Sequence, residues 1–145
     1  MTAREYLMRP ALLQQEIDRK RRRISFLRRR SNRLSASLQQ DRVLSTPDPA
    51  RMQALLAEAA DEEQEVLRLE EERKQALADS ALAVSLLPEE PQVMLMELRY
   101  LDRRDWNEIS SLLSFSLSSV YRIHRGALAW LDALPEIRAA GGEAE

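Results

Sequence analysis

The sequence predicts an all-α protein in which a long antiparallel, coiled-coil-like helical hairpin precedes a small three-helix domain of the helix-turn-helix type. Three observations support this class. Ala, Glu, Leu and Arg dominate a chain that is 32% charged, a composition typical of long helices. Apolar residues recur at three- and four-residue intervals on both sides of one breaker cluster, Ser45 to Pro49. Two short amphipathic segments then follow each other within residues 105–131.

Each half of the predicted hairpin carries one apolar stripe, because positions three and four residues apart lie on the same face of a helix. The breaker cluster from Ser45 to Pro49 lies between the two halves. The stripe of the first helix consists of Leu12, Leu13, Ile17, Ile24, Leu27, Leu34 and Leu38, and that of the second of Met52, Leu55, Leu56, Ala59, Val66, Leu67, Leu69, Leu77 and Val84.

Charge is strongly segregated along the chain. Residues 1–44 hold 12 basic and 4 acidic residues (+8), residues 45–88 hold 4 and 10 (−6), and residues 89–145 hold 6 and 10 (−4). If the chain turns at Thr46, Arg28–Arg30 faces Asp61–Glu65 and Lys20–Arg23 faces Glu70–Glu72. We therefore expect the basic run between Arg19 and Arg33 mainly to pair with the acidic helix. Contact of the same run with DNA phosphates stays open.

The pattern divides the chain into three parts. Residues 1–87 form the hairpin, residues 88–135 the helix-turn-helix domain and residues 136–145 a flexible tail. Leu87 to Pro91 is the joint, and the first helix of the domain is expected from Gln92 to Leu101. Two helices alone have no third layer to cover a wide stripe, so we expect self-association along the hairpin, as a homodimer.

The domain contains the signature of a helix-turn-helix. Asp105 and Glu108 form a D-x-x-E capping box at the start of its second helix, and Ser116 can cap its third. The residues expected to be buried are Trp106, Ile109, Leu112 and Leu113 on the second helix, and Val120, Ile123, Ala127, Leu128 and Leu131 on the third.

The remaining positions at the start of the third helix suit a surface that reads a DNA groove. Hydroxyls bond phosphates or base edges, arginine makes bidentate contacts to guanine, and no acidic residue lies between Ser116 and Leu131. Any surface helix can also expose serine and arginine, and two arginines are a small electrostatic footprint. The predicted DNA-binding residues are Leu117, Ser118, Ser119, Tyr121, Arg122 and Arg125.

The same residues carry a family resemblance. The runs 98–101, 106–109 and 120–125, with Ser116 and Ala127-Leu128, resemble region 4 of bacterial sigma factors and, more closely, the ArpU/RinA-like family of phage transcriptional regulators. The resemblance covers about Pro88 to Leu134 and is looser over the first half. It implies phage transcription control, with the third helix of the domain in the major groove and a possible contact with host RNA polymerase. Ser110 replaces the alanine usual after the Glu-Ile pair, and should still pack.

Other function classes have less support. There are no cysteines, so disulfides and thiolate metal sites are excluded, and His124, the single histidine, is expected to pack rather than bind metal. The three glycines cannot build a phosphate-binding loop. We expect no catalytic residues, no metal, no cofactor and no enzyme activity. With a mean hydropathy of −0.46 and no long apolar run, we expect no membrane contact and a cytoplasmic location.

The leading hypothesis is a sequence-specific transcriptional regulator that binds double-stranded DNA or docks on host RNA polymerase. A packaging subunit resembling small terminase is one alternative, since it also combines a helix-turn-helix with an oligomerising hairpin. A helical adaptor that binds protein and no nucleic acid is another.

Overall fold

The computed structural model describes residues 1–40 and 49–141 and is all-α, which confirms the predicted fold class. The predicted turn at Thr46 lies outside the described residues. Within the described ranges, no helix combines the length and the apolar character needed to cross a membrane. The helices are α1 (Ala3–Gln40) and α2 (Pro49–Ser85), which run antiparallel, then α3 (Glu90–Met96), a π-helical turn (Glu97–Leu101), α4 (Trp106–Leu113), α5 (Leu117–Asp132) and α6 (Pro135–Ala139).

The chain forms two compact units, which we call the hairpin unit and the short-helix unit. The hairpin unit is Leu12–Glu72. The short-helix unit combines Met1–Ala11 with the chain from Arg73 onward. The start of α1 and the end of α2 therefore belong structurally with the short helices. The functional division at residue 87, into an oligomerising and a DNA-binding part, stays a prediction.

The hairpin unit has a narrow apolar core. Ile17 and Ile24 of α1 are buried against Val66 and Leu69 of α2. Full burial of such a side chain stabilises a fold by about 1.5–3 kcal/mol, so these residues contribute more than the exposed ion pairs beside them. All four belong to the predicted stripes.

Ion pairs line both edges of this core. Arg28 pairs with Glu63 and Arg21 with Glu70, which joins the clusters predicted to face each other. Two further pairs are diagonal, Lys20 Nζ to Glu62 Oε2 at 3.1 Å and Arg23 to Glu58. The exposed pairs of Arg21, Arg23 and Arg28 contribute about 0.2–1 kcal/mol each, which selects a register but does not hold the helices together.

The first turns of α1 form part of the core of the short-helix unit. Ala3, Tyr6 and Leu7 are buried there, whereas the sequence analysis began the stripe of the first helix at Leu12. The predicted stripe did not include these residues because this end of α1 packs against the short helices and not against the hairpin core. The other buried members of this core are Ala83, Val84, Leu87, Leu95, Met96, Tyr100, Ile109, Val120, Ala127, Leu131 and Ile137.

A proline lies inside α1 at Pro10. Proline has no N–H, so it cannot donate to the carbonyl of Tyr6, four residues earlier. Arg9 replaces this donor, because its Nε donates to the Tyr6 carbonyl at 3.1 Å. The same guanidinium lies 3.9 Å from the centre of the Tyr6 ring and 3.6 Å from a carboxylate oxygen of Asp79.

Two boundaries of the short helices differ from the prediction. Helix α3 begins at Glu90 rather than Gln92, since Pro91 suits the first turn of a helix. The described residues up to Ala139 are helical within the range predicted as a flexible tail, residues 136–145. Pro135 starts α6, and Ile137 within it is fully buried in the core of the short-helix unit.

Truncating Ile137 tests this correction. Ile137→Ala should lower the free energy of unfolding by about 2–4 kcal/mol, because it removes fully buried apolar atoms and leaves a cavity. Glu136→Ala, at the exposed neighbouring position, should change it by less than about 0.5 kcal/mol. Chemical denaturation of both variants measures the difference. Equal stability of the two would mean that α6 does not contribute to the core.

Candidate nucleic-acid interface

Helix α4 begins with the predicted cap. The carboxylate of Asp105 accepts a hydrogen bond from the Glu108 N–H at 2.8 Å, and this bond lowers the pKa of Asp105. The reciprocal half of the capping box is not formed among the described residues. The carboxylate of Glu108 instead accepts a hydrogen bond from Arg104 at 3.0 Å, because a guanidinium one turn away competes with the Asp105 N–H.

The turn between α4 and α5 is short and closed by its own hydrogen bonds. Ser114 ends α4 in the left-handed conformation, with φ 58°, and the Phe115 N–H donates to the Ser110 carbonyl at 3.1 Å. The Ser110 hydroxyl also donates to the Phe115 carbonyl at 2.5 Å. Ser110, which stands where the resembled family usually has alanine, therefore stabilises the turn with its hydroxyl. Ser116 caps α5 as predicted, accepting from the Ser119 N–H at 3.2 Å.

A buried aromatic cluster supports α5 from inside. The hydroxyl of Tyr100 and Nε2 of His124 are hydrogen-bonded at 2.7 Å. Trp106 packs edge-on against His124, with ring centres 4.7 Å apart, and against Tyr121 at 5.3 Å. His124 is a packing residue, as expected. This cluster joins the π-helical turn, α4 and α5.

Burial lowers the pKa of His124 to about 4, and the nearby guanidiniums of Arg4, Arg99 and Arg125 add to this effect. His124 is therefore neutral at pH 7. Burial also raises the pKa of the Tyr100 hydroxyl, so Tyr100 keeps its proton. The pair is held by a hydrogen bond between two uncharged groups.

The six predicted DNA-binding residues all lie on the first half of α5, but they are not equally available. Ser118, Arg122 and Arg125 are exposed, and Leu117 and Tyr121 expose 38% and 39% of their surface. Ser119 is half-buried, and its hydroxyl accepts a hydrogen bond from the Ser116 hydroxyl at 3.0 Å. Ser119 thus contributes to the helix cap, and Tyr121 to the packing of Trp106.

The cations around α5 include two arginines that were not among the predicted site residues. Arg122 and Arg125 form no ion pair with any residue in the described part of the chain. Arg4, at the start of α1, and Arg99 lie close enough to His124 to influence its pKa. Arg99 is held in place, because it stacks over Trp106 at 4.2 Å and donates to the Arg104 carbonyl at 3.1 Å. No spacing in the sequence indicates that Arg4 belongs here.

A groove of about 470 Å³ runs along one side of α5. Its walls combine Ser119 and Arg122 with Glu89 and Gln92 at the start of α3. Glu89 places a negative charge at one wall, so the side of α5 that faces α3 is less suited to phosphate than the side that carries Arg125.

The His124 environment predicts a specific dependence of stability on pH. Between pH 6.5 and 4 the unfolded chain binds a proton at His124 that the folded chain does not. The free energy of unfolding should therefore be highest above pH 6.5 and should fall by about 1–3 kcal/mol as the pH drops toward 4.

Denaturation of the wild type and of His124→Gln across pH 4–8 checks this prediction. Glutamine does not titrate, so the stability difference between the two proteins should be constant above pH 7 and shift in favour of the variant below pH 6. Parallel pH profiles of the two proteins would show that His124 is not the group responsible.

No protein-family model, characterised protein or solved structure matches this chain. The resemblance to ArpU/RinA-like regulators and to sigma region 4 therefore stays a prediction, carried by the residues named above.

Proposed function

We propose that this protein is a phage-type transcriptional regulator that binds double-stranded DNA in a sequence-specific way, with the first half of α5 in the major groove. The observation that carries the proposal is the exposed face formed by Ser118, Arg122 and Arg125. Its two guanidiniums have no acidic partner among the described residues. A capped three-residue junction and a buried aromatic cluster hold this face at a defined angle to α4.

The chemistry of the face supports base reading more than general attraction to DNA. A major groove about 12 Å wide admits one helix, and an arginine can bond both acceptors of a guanine. Residues 89–145 carry a net charge of −4, with 6 basic and 10 acidic residues, so attraction to phosphates at long range is weak. We therefore expect residues 89–145 to contribute little affinity for random DNA, and a sequence preference carried by few residues of α5.

An exposed apolar patch beside the turn supports a protein contact as the alternative. The prediction that Leu112 is buried is wrong, because it exposes 59% of its surface. Phe115 and Leu117 expose 37% and 38%. Apolar groups gathered at one corner are typical of protein-binding surfaces. Such a patch suits the docking of α5 on host RNA polymerase, and equally a purely adaptor function without nucleic acid.

Arg122→Ala tests base reading. We expect the variant to lose about 1–3 kcal/mol of discrimination at one or two base pairs, because a bidentate contact to a base is removed. The full chain is first used to select bound duplexes from a random pool, with and without RNA polymerase. The selected sequences define the preference that is then measured for the variant. Arg138→Ala on α6 is the matched control, since it removes another exposed arginine from a different helix. Selection of no preferred sequence in either condition would contradict the regulator and favour the adaptor.

We also propose that two copies associate along the hairpin. Leu56 and Leu67 of α2 lie eleven residues apart, hence on one helical face, and expose 41% and 59% of their surface. The hairpin unit by itself has no third layer that covers them.

Sedimentation at micromolar concentration should show a dimer for the wild type and a monomer for the pair Leu56→Lys and Leu67→Lys. Ala57→Lys, at an exposed position about 100° around the helix, should leave the dimer intact. A wild-type monomer would contradict this proposal, and a ring of many copies would favour the packaging subunit.

A further inference from the structure

We infer that the outward face of α1 in the hairpin unit binds the phosphate backbone of duplex DNA, separately from α5. The residues that form this surface are Arg22, Arg29, Arg30 and Arg33, which we call the arginine stripe. The inference rests on the proposed function only for the identity of the polyanion as DNA.

The geometry of α1 divides the basic run into two sets. At 100° per residue, the four arginines of the stripe fall within about 100° of the helix circumference. Ile17 and Ile24, which face α2, lie on the opposite side of α1. Arginines that point away from α2 are too far from its carboxylates to pair with them. All four side chains are exposed.

The ion pairs agree with this division. Lys20, Arg21, Arg23 and Arg28 each pair with a glutamate of α2. The four arginines of the stripe form no ion pair or hydrogen bond with any residue of the described ranges. Four of these eight cations therefore pair with α2. The four arginines of the stripe form no such pair within the described ranges.

The stripe is dense enough to follow a phosphate backbone. Four guanidiniums occupy about 17 Å of helix length, and duplex DNA carries one charge per roughly 1.7 Å of its axis. No acidic residue occurs between Arg19 and Gln40. A concavity of about 660 Å³ lined by Arg21, Arg22, Ser25, Arg28 and Arg29 adjoins the stripe.

An anionic membrane surface is the competing partner, and the apolar content of the stripe argues against it. Helices that lie on membranes bury a broad apolar face beside their basic residues. Here Phe26, with 57% of its surface exposed, is the single apolar side chain within the stripe between residues 22 and 33. A duplex backbone needs only the guanidiniums.

The test compares two fourfold variants of the full chain with equal net charge. The stripe variant carries Arg22→Gln, Arg29→Gln, Arg30→Gln and Arg33→Gln, and the control carries Lys20→Gln, Arg21→Gln, Arg23→Gln and Arg28→Gln. Affinity for a short random-sequence duplex is measured across a range of salt concentrations. The slope of log affinity against log salt should fall by about 3–4 in the stripe variant, at roughly 0.9 per lost phosphate contact, and by less than about 1 in the control. Circular dichroism confirms that both variants stay helical, and Arg29→Gln with Arg30→Gln should give about half of the effect.

The outcomes separate this inference from the proposed function. Equal slopes in the wild type and the stripe variant, or equal losses in both fourfold variants, would overturn the stripe and leave α5 unaffected. A lower slope in the stripe variant, with an unchanged sequence preference in Arg122→Ala, would keep the stripe and reject base reading by α5. A wild type that binds no duplex even at low salt would overturn both. The stripe would be assigned to a membrane instead if the stripe variant alone lost binding to phosphatidylserine vesicles and its salt slope for duplex DNA did not change.

Discussion

Two helices can bury only the strip along which they touch, and the charge arrangement of the hairpin follows from that constraint. Residues at the contact, such as Ile17 and Leu69, are apolar. Residues at its edges, such as Arg28 and Glu63, meet across it as ion pairs. Residues on the far side meet nothing on the partner helix. A single basic run in the sequence is therefore divided by helix geometry into cations that pair with glutamates of α2 and cations that form no ion pair among the described residues.

The core of the short-helix unit is assembled from segments that are far apart in the sequence. Residues 88–135 supply many of its buried side chains, and α1 adds Ala3, Tyr6 and Leu7 to them. The candidate interface rests on this shared core, because Val120, Ala127 and Leu131 of α5 are buried in it. The surface proposed to read DNA is thus built on side chains from the beginning and the end of the chain.

Local signals in the sequence were sufficient for the fold class, the helix caps and the outward face of α5. Caps such as Asp105 and Ser116 act over three residues, and helical periodicity acts over four, so both are visible in the sequence. Contacts between distant segments were not predictable in the same way. The burial of Tyr6 and Ile137 depends on which elements meet, and nothing in their spacing shows that. The mixed roles of Ser119 and Tyr121 also required coordinates, since their partners Ser116 and Trp106 are set by the angle between α4 and α5.

The Ala3 N–H donates to a carboxylate oxygen of Asp132 at 2.6 Å, across 129 positions of sequence. During synthesis the first turn of α1 leaves the ribosome long before the segment that completes its surroundings. Tyr6 and Leu7 therefore stay without their final neighbours until α5 and α6 have been made. The hairpin of α1 and α2 can form first, and the short-helix unit closes only when α5 and α6 reach the start of α1.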